Sequence, residues 1–249
     1  MLKLERHQLI LNKLKINRKV LSAILSNELK VSEDTIRRDL KELEAQQLLY
    51  KVHGGALSIE NKIPSYDERS VSDLDKKRQI AKKAVQLIHN GQVIIMTGSS
   101  TNLELAKLIP PSINATIFTY SLPIALQLTH HPKIEVIFIG GKLNKSAQVT
   151  VGIDVMNSIS KLRADICFMG TDALNLERGM TESDWEVAHI KKGMIESSDY
   201  IVSMCISTKI MESRRYAVVP VENIDVVITD DATDQSIFKQ FKGRGIVVM

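Results

Sequence analysis

The chain has 249 residues, 33 Lys/Arg against 29 Asp/Glu, a net charge of +4 and 44% hydrophobic residues. That length is enough for two domains, and no run of about 18 apolar residues is present, which excludes a membrane-spanning helix. The absence of a leader-like start predicts a cytoplasmic protein, and Cys167 and Cys205, each inside an apolar run, read as buried thiols of a reducing compartment.

The positive charge is unevenly placed. Residues 1–60 hold eleven Lys/Arg against eight Asp/Glu, a net +3, while the other 189 hold 22 against 21. A basic N-terminal module beside a nearly neutral remainder is the distribution expected where one part displaces counterions from DNA.

In chain order, Ile10, Leu11 and Leu14 mark the inner face of a first helix. Leu21, Ile24, Leu25 and Leu29 then give an apolar stripe at i, i+3, i+4 and i+8, which predicts a second helix, broken at Lys30-Val31. Ser32 is placed to cap a third, and Glu33 and Asp34 favour the positive end of its dipole. Ile36, Leu40 and Leu43 form its buried stripe and leave Thr35, Arg37, Arg38 and Lys41 outward. Two helices joined by a tight turn, the second with an arginine-bearing outer face, make a helix-turn-helix whose recognition helix suits a major groove. An extended run at 48–52 meeting His53-Gly54-Gly55-Ala56 predicts a hairpin wing with Lys51 and His53 against phosphate.

Arg6, Leu25, Val31-Ser32, Thr35 to Leu40 and His53 to Ala56 resemble the DNA-binding domain of the DeoR family of bacterial transcriptional regulators, over residues 3–58. Residues 59–75 read as a polar linker around Pro64, ending in a new helix from Asp73. Ile80, Ala84, Leu87 and Ile88 give that helix its apolar face, and Asn90-Gly91 stops it.

Beyond it, apolar runs at 93–96, 116–119, 136–139, 166–169, 200–203, 226–228 and 246–248 alternate with helical stretches at 102–109, 122–129, 154–161 and 184–197. Short continuous apolar strands between helices predict a mostly parallel, Rossmann-like α/β sheet over residues 76–249. In such a sheet ligands bind at the carboxyl ends of the strands. Gly98, Ser99, Ser100 and Thr101 open a helix there and predict a phosphate cradle. Ser121, Gly140-Gly141 with Lys142, and Asp172 follow the next three strands, the carboxylate suited to a sugar hydroxyl. Lys191 and Lys209 are candidate cations for the same site.

Ile80-Ala81, Gly98 to Thr101, Ser121 to Pro123, Gly140-Gly141, Gly152, Asp165, Phe168, Gly170, Gly179, Lys191 and Lys209 resemble the DeoR-family sensor domain. That resemblance implies a ribose-phosphate-isomerase-like fold and a phosphorylated sugar as effector. The chain departs from the family's pattern at Thr97, Tyr120 and near Ile206, where the family often has Asp, Asn and Asp.

An isomerase built on this fold could use Asp172, Glu182 and Lys191 as its acid and base. No nucleophile elbow, GxGxxG or metal spacing supports catalysis, and His130-His131 reads as a helix end. The expectation is therefore a regulator without catalytic residues, metal or cofactor, and off the membrane. Its partners are double-stranded operator DNA and a small phosphorylated metabolite. It acts as a homo-oligomer, dimer or tetramer, because one short recognition helix cannot supply operator affinity alone.

Overall fold

The computed structural model describes residues 2–17, 19–58 and 65–249. The chain divides into two compact units, Met1–Ile63 and Pro64–Met249.

The first unit is built as α1 (Lys3–Asn17), β1 (Lys19–Leu21), α2 (Ser22–Leu29), α3 (Glu33–Ala45), β2 (Leu49–Val52) and β3 (Gly55–Ser58). Its three strands form an antiparallel sheet in the order β1-β3-β2. Ile10, Leu14, Val20, Leu25, Ile36, Leu40, Leu43, Leu49 and Ala56 pack into one core. The expected stripe of α2 needs correction. Leu21 ends β1 and is exposed, and Ile24 is exposed as well, so Leu25 anchors α2 together with buried Ser22. The 3.6-residue spacing ran by coincidence through a strand that pairs Val20 with Ala56 of the wing.

The second unit opens where a linker was expected. Residues 59–64 lie outside the described residues, but Ser65 caps a helix, α4 (Tyr66–Val71), through a reciprocal box with Glu68. Then come α5 (Leu74–Ala84), β4 (Val93–Met96), α6 (Ser100–Leu108), β5 (Ala115–Thr119), α7 (Leu122–Leu128) and β6 (Ile134–Phe138). A hairpin of β7 (Lys142–Asn144) and β8 (Val149–Val151) precedes α8 (Ile153–Ile159) and β9 (Ile166–Gly170). The remainder is β10 (Ala173–Asn175), β11 (Gly179–Glu182), α9 (Trp185–Glu196), β12 (Ile201–Met204), β13 (Tyr216–Val219), β14 (Val226–Ile228), α10 (Gln235–Lys242) and β15 (Val247–Val248). The helix expected to stop at Asn90-Gly91 ends earlier, passing into a tight turn at Val85–Leu87.

Seven strands form the main sheet in the order β15-β14-β12-β9-β4-β5-β6. All its pairings are parallel. Both faces are covered, and β9 shows how. Ile166 and Phe168 face the side packed by α5, α6 and α7, while Cys167 and Met169 face the side packed by α8, α9 and α10. That two-sided burial is why its sequence is a continuous apolar run. The order reverses between β4 and β9, so their carboxyl ends flank the crevice where such sheets take ligands.

Candidate nucleic-acid interface and effector site

Ser32 adopts an extended backbone before α3, and its hydroxyl accepts from the Thr35 N–H at 3.2 Å. The Thr35 hydroxyl lies 2.9 Å from that of Ser32, so both side chains are engaged at the cap. Ile36, Leu40 and Leu43 are buried, which turns Arg37, Arg38 and Lys41 to the surface. Arg37 has Glu33 at 3.7 Å and Asp34 at 3.8 Å on its own helix. Among the described residues Arg38, Lys41 and Lys51 have no ion-pair partner, so their charge is free to meet DNA.

The wing is fixed to this helix. Glu44 of α3 accepts from the Lys51 N–H at 2.9 Å, and Gly54 turns the hairpin with φ +78°. A Cβ at Gly55 would stand 2.0 Å from the Val20 carbonyl oxygen, so the middle strand can approach β1 only as glycine. His53 and Lys51 are exposed at the wing.

Behind the recognition helix lies a pair whose role is absent from the pattern. Asp39, on the inner face of α3, accepts from Arg6 Nη2 at 2.9 Å and lies 3.1 Å from His7 Nε2, binding α1 to α3. Burial pushes the Asp39 carboxyl up, but hydrogen bonds from Arg6 and His7 outweigh it and leave it below the usual carboxylate range.

In the second unit, Ser99 caps α6 by accepting from the Asn102 N–H at 2.9 Å. The first-turn N–H groups of Ser100 and Thr101 have no intrahelical acceptor and point at the crevice. The glycines beside them are closely packed by neighbouring side chains. A Cβ at Gly98 would meet Val149 Cγ1 at 2.2 Å, and one at Gly170 would meet Ser99 Oγ at 2.2 Å. Protein, rather than ligand, makes the close approach at both. Thr97 is likewise engaged, its hydroxyl accepting from the Gly170 N–H at 2.8 Å.

Most of the other expected residues are engaged within the fold. Lys191 is buried, forms an ion pair with Glu182 and donates to the Gly170 carbonyl at 2.7 Å. Its ammonium is therefore already paired within the fold, next to the carboxyl end of β9. Asp172 accepts from the Ser183 hydroxyl at 2.6 Å and lies 3.4 Å from Lys209 and 3.6 Å from Arg214. Burial raises the Asp172 carboxyl, but Lys209, Ser183 and Arg214 hold it down to about 2. Gly140-Gly141 follows the edge strand β6, three strands from β9, or roughly 14 Å at the usual strand spacing. A Cβ on Gly141 would touch Val155 and the Val151 carbonyl, whereas Gly140 faces open space. Gly141 therefore packs closely on the β7-β8 hairpin and α8.

Five polar atoms were not legible in the sequence as a group. Tyr66 Oη, Arg69 Nε, Asn102 Oδ1, Tyr120 Oη and Ser121 Oγ are buried with no hydrogen bond of good geometry among the described residues, although the Gly98 N–H lies close enough to act on Tyr120 Oη. Asn102 and Ser121 flank the Gly98 turn, and the Ser121 Cβ lies 3.6 Å from where a Gly98 Cβ would stand. Asn102 Nδ2 donates to the Thr97 and Phe168 carbonyls, both at 2.8 Å, which fixes its oxygen as the free end. The Arg69 guanidinium carbon is 6.0 Å from the Tyr66 ring centroid, and its charge acts on Tyr120. Unpartnered buried polar atoms cost about 1–3 kcal/mol each, so a cluster of five marks a place built for something polar.

A winged helix with free cations on its recognition helix, joined in one chain to a parallel sheet with a polar crevice, defines a DNA-binding transcriptional regulator with a sensing domain. Residues 6–62 match the DeoR-like helix-turn-helix domain and residues 72–231 the DeoR C terminal sensor domain. The chain belongs to the DeoR family. It is 34% identical to the HTH-type transcriptional regulator GolR of Listeria innocua, over 98% of this chain and 97% of that one. It is 29% identical to the HTH-type transcriptional repressor GlcR of Bacillus subtilis, over 98% and 95%. Among solved structures it resembles ribose 5-phosphate isomerase A of Methanocaldococcus jannaschii with a TM-score of 0.42 and 16% identity, over 56% of this chain and 55% of that one. Among the described residues no helix is long and apolar enough to cross a membrane, and no cluster of His, Cys, Asp or Glu is arranged to hold a metal ion.

Proposed function

We propose that this regulator is a cytoplasmic homo-oligomeric repressor of a carbohydrate-metabolism operon, released from or held on its operator by a phosphorylated sugar. The observation that carries the effector reading is the set of unpartnered groups at the carboxyl edge of the sheet. The N-terminus of α6, with Ser100 and Thr101, attracts a phosphate. Tyr120 and Ser121 supply hydroxyl donors, and Asn102 Oδ1 can only accept, which calls for a ligand hydroxyl. Donors for an anion beside an acceptor for a hydroxyl match a sugar phosphate better than a plain anion or an apolar ligand. Lys209, 3.4 Å from Asp172 just beyond the end of β9, is a further candidate contact for the phosphate. Repression is supported by relatives named as repressors, GlcR among them. Oligomerisation is supported by the limited charge of the winged helix, since paired half-sites raise affinity without new contacts.

The test is a thermal-shift screen of the full chain against triose, pentose and hexose phosphates, followed by operator titration with each hit. A ligand at a hundred times its Kd stabilises the folded state by about 2.7 kcal/mol. A hit must also change operator affinity. Stabilisation by free sugars but by no phosphorylated one would defeat the reading. Sedimentation of a monomer at micromolar concentration, with and without DNA, would remove the oligomer.

A further inference from the structure

The helix α4 occupies a stretch whose composition reads as linker, yet two of the five unpartnered buried atoms, Tyr66 Oη and Arg69 Nε, belong to it. It is tied to the second unit at few points. The Tyr66 N–H donates to the Ser146 carbonyl at 2.7 Å, and Gln148 donates to the Asp67 carboxylate at 3.0 Å, both through the turn of the β7-β8 hairpin. From the other side Lys77 of α5 reaches the Arg69 and Ser72 carbonyls and holds the last turn.

The carboxylates around α4 are engaged by other partners, Asp67 by Gln148 and Glu68 by the Ser65 N–H. Glu104, the acid of α6 nearest this helix, is already engaged by Arg78 at 3.3 Å and Lys107 at 2.6 Å. Asp172 is held by Lys209 and Arg214. Among the described residues neither Arg69 nor Lys77 has a carboxylate within ion-pair distance. Burial above all, with a smaller push from Lys209, pulls Lys77 down to about 8, although Asp73 and Glu104 act the other way. Arg69 is thus left beside Tyr66, its charge reaching Tyr120, with no carboxylate at ion-pair distance among the described residues.

The five unpartnered atoms are sealed from solvent, so a ligand can meet them only if a wall moves. The floor is the parallel sheet and the α6 turn, bonded by Asn102 and Thr97 across β4 and β9. The α4 wall is a six-residue helix outside the sheet, held by the hairpin turn and by Lys77.

We propose that α4 is the movable wall of the effector site, and that Arg69, with Tyr66, grips the effector's anionic group and fixes this helix when the site fills. This rests on the effector reading above. It gives the ligand a covalent route to the DNA-binding unit, because α4 follows the last wing residue, Ser58, by only a few positions in sequence.

Hydrogen exchange on the full chain tests it, with inorganic phosphate, ribose 5-phosphate and fructose 6-phosphate as probes. With a bound probe the amides from Asp67 to Ser72 are expected to exchange at least about tenfold more slowly, while the central strands, protected throughout, serve as the folding control. Arg69→Gln is expected to weaken probe binding by about 10–100-fold, the value of a charge-assisted hydrogen bond, and to abolish the protection of α4. Arg69→Lys and Tyr66→Phe, which preserve packing, should weaken binding less and keep part of the protection. A probe that binds Arg69→Gln as tightly as the parent and leaves α4 exchange unchanged overturns this inference and leaves the effector reading standing. If none of the three probes binds the parent, both fall together.

Discussion

Two helices carry the same local signal, a pair of adjacent cations, and treat it in opposite ways. On α3, Arg37 and Arg38 both stand in solvent. On α9, Lys192 is exposed with Glu196 at 3.9 Å, while Lys191 is buried against Glu182 and the Gly170 carbonyl. The difference lies in what surrounds each helix. The buried residues of α3 are Ile36, Asp39, Leu40 and Leu43, a single stripe that leaves the opposite face open. On α9, Val187, Ala188, Ile190, Lys191, Gly193, Met194 and Ile195 are all buried, so one of two neighbouring lysines had to point inward. Helical periodicity identifies an outward face only when a helix is covered on one side.

The largest effect should come from breaking the inward pair. Lys191→Ala leaves Glu182 buried and uncompensated and is expected to cost about 3–5 kcal/mol in urea unfolding. Replacing both residues with apolar ones of similar volume should recover most of that. A Lys191→Ala protein as stable as the parent but unable to respond to effector would place Lys191 in the binding site.

A comparable pair exists in the smaller unit, and it separates holding α3 from reading DNA. Arg6→Ala should destabilise the winged helix by about 3 kcal/mol, because Asp39 stays buried without its partner. Operator binding would then be lost with the fold, and circular dichroism of the variant would show it. The sign of the pH dependence follows from Asp39, whose folded-state carboxyl lies below its ordinary value. The stabilisation is complete above the unfolded value near 3.9 and is lost as pH falls through the lower folded value. Acid titration of Arg6→Ala should lack that loss.

Next come the outward cations. Arg38, without an ion-pair partner among the described residues, should contribute about 1–3 kcal/mol to operator discrimination. Arg37 must give up its contacts with Glu33 and Asp34, so Arg37→Ala should cost less. Lys51→Ala should lower affinity for all sequences alike and reduce the salt slope by about one. Titrations in which Arg37→Ala, Arg38→Ala and Lys13→Ala weaken binding equally would leave only general electrostatics.

The smallest effects distinguish the glycines. Gly140→Ala meets open space and should change stability by less than about 0.5 kcal/mol, with the effector response intact. Gly98→Ala would press on Val149 and should cost about 1–3 kcal/mol. If Gly140→Ala abolished the response at full stability, the Gly140-Gly141 turn would belong to the site.

The sequence by itself determined the winged helix and the alternation of strands and helices, because both depend on spacing within a few residues. The cap at Ser32, the stripe Ile36-Leu40-Leu43, the Gly54 turn and the runs from Val93 to Val248 are properties of short segments. It also marked Gly98, Gly140, Gly141 and Gly170 as special, without saying what each approaches. Only the tertiary structure decided which polar groups face one another. Arg6 meets Asp39 across 33 positions, and the Thr97 hydroxyl meets the Gly170 N–H across 73. The polar composition that made 65–75 look like a linker conceals Tyr66 and Arg69 at a buried site, because two turns of helix can bury one side and keep the other wet. Burial and pairing are set by what long-range folding brings alongside, and no window of neighbouring residues contains that information.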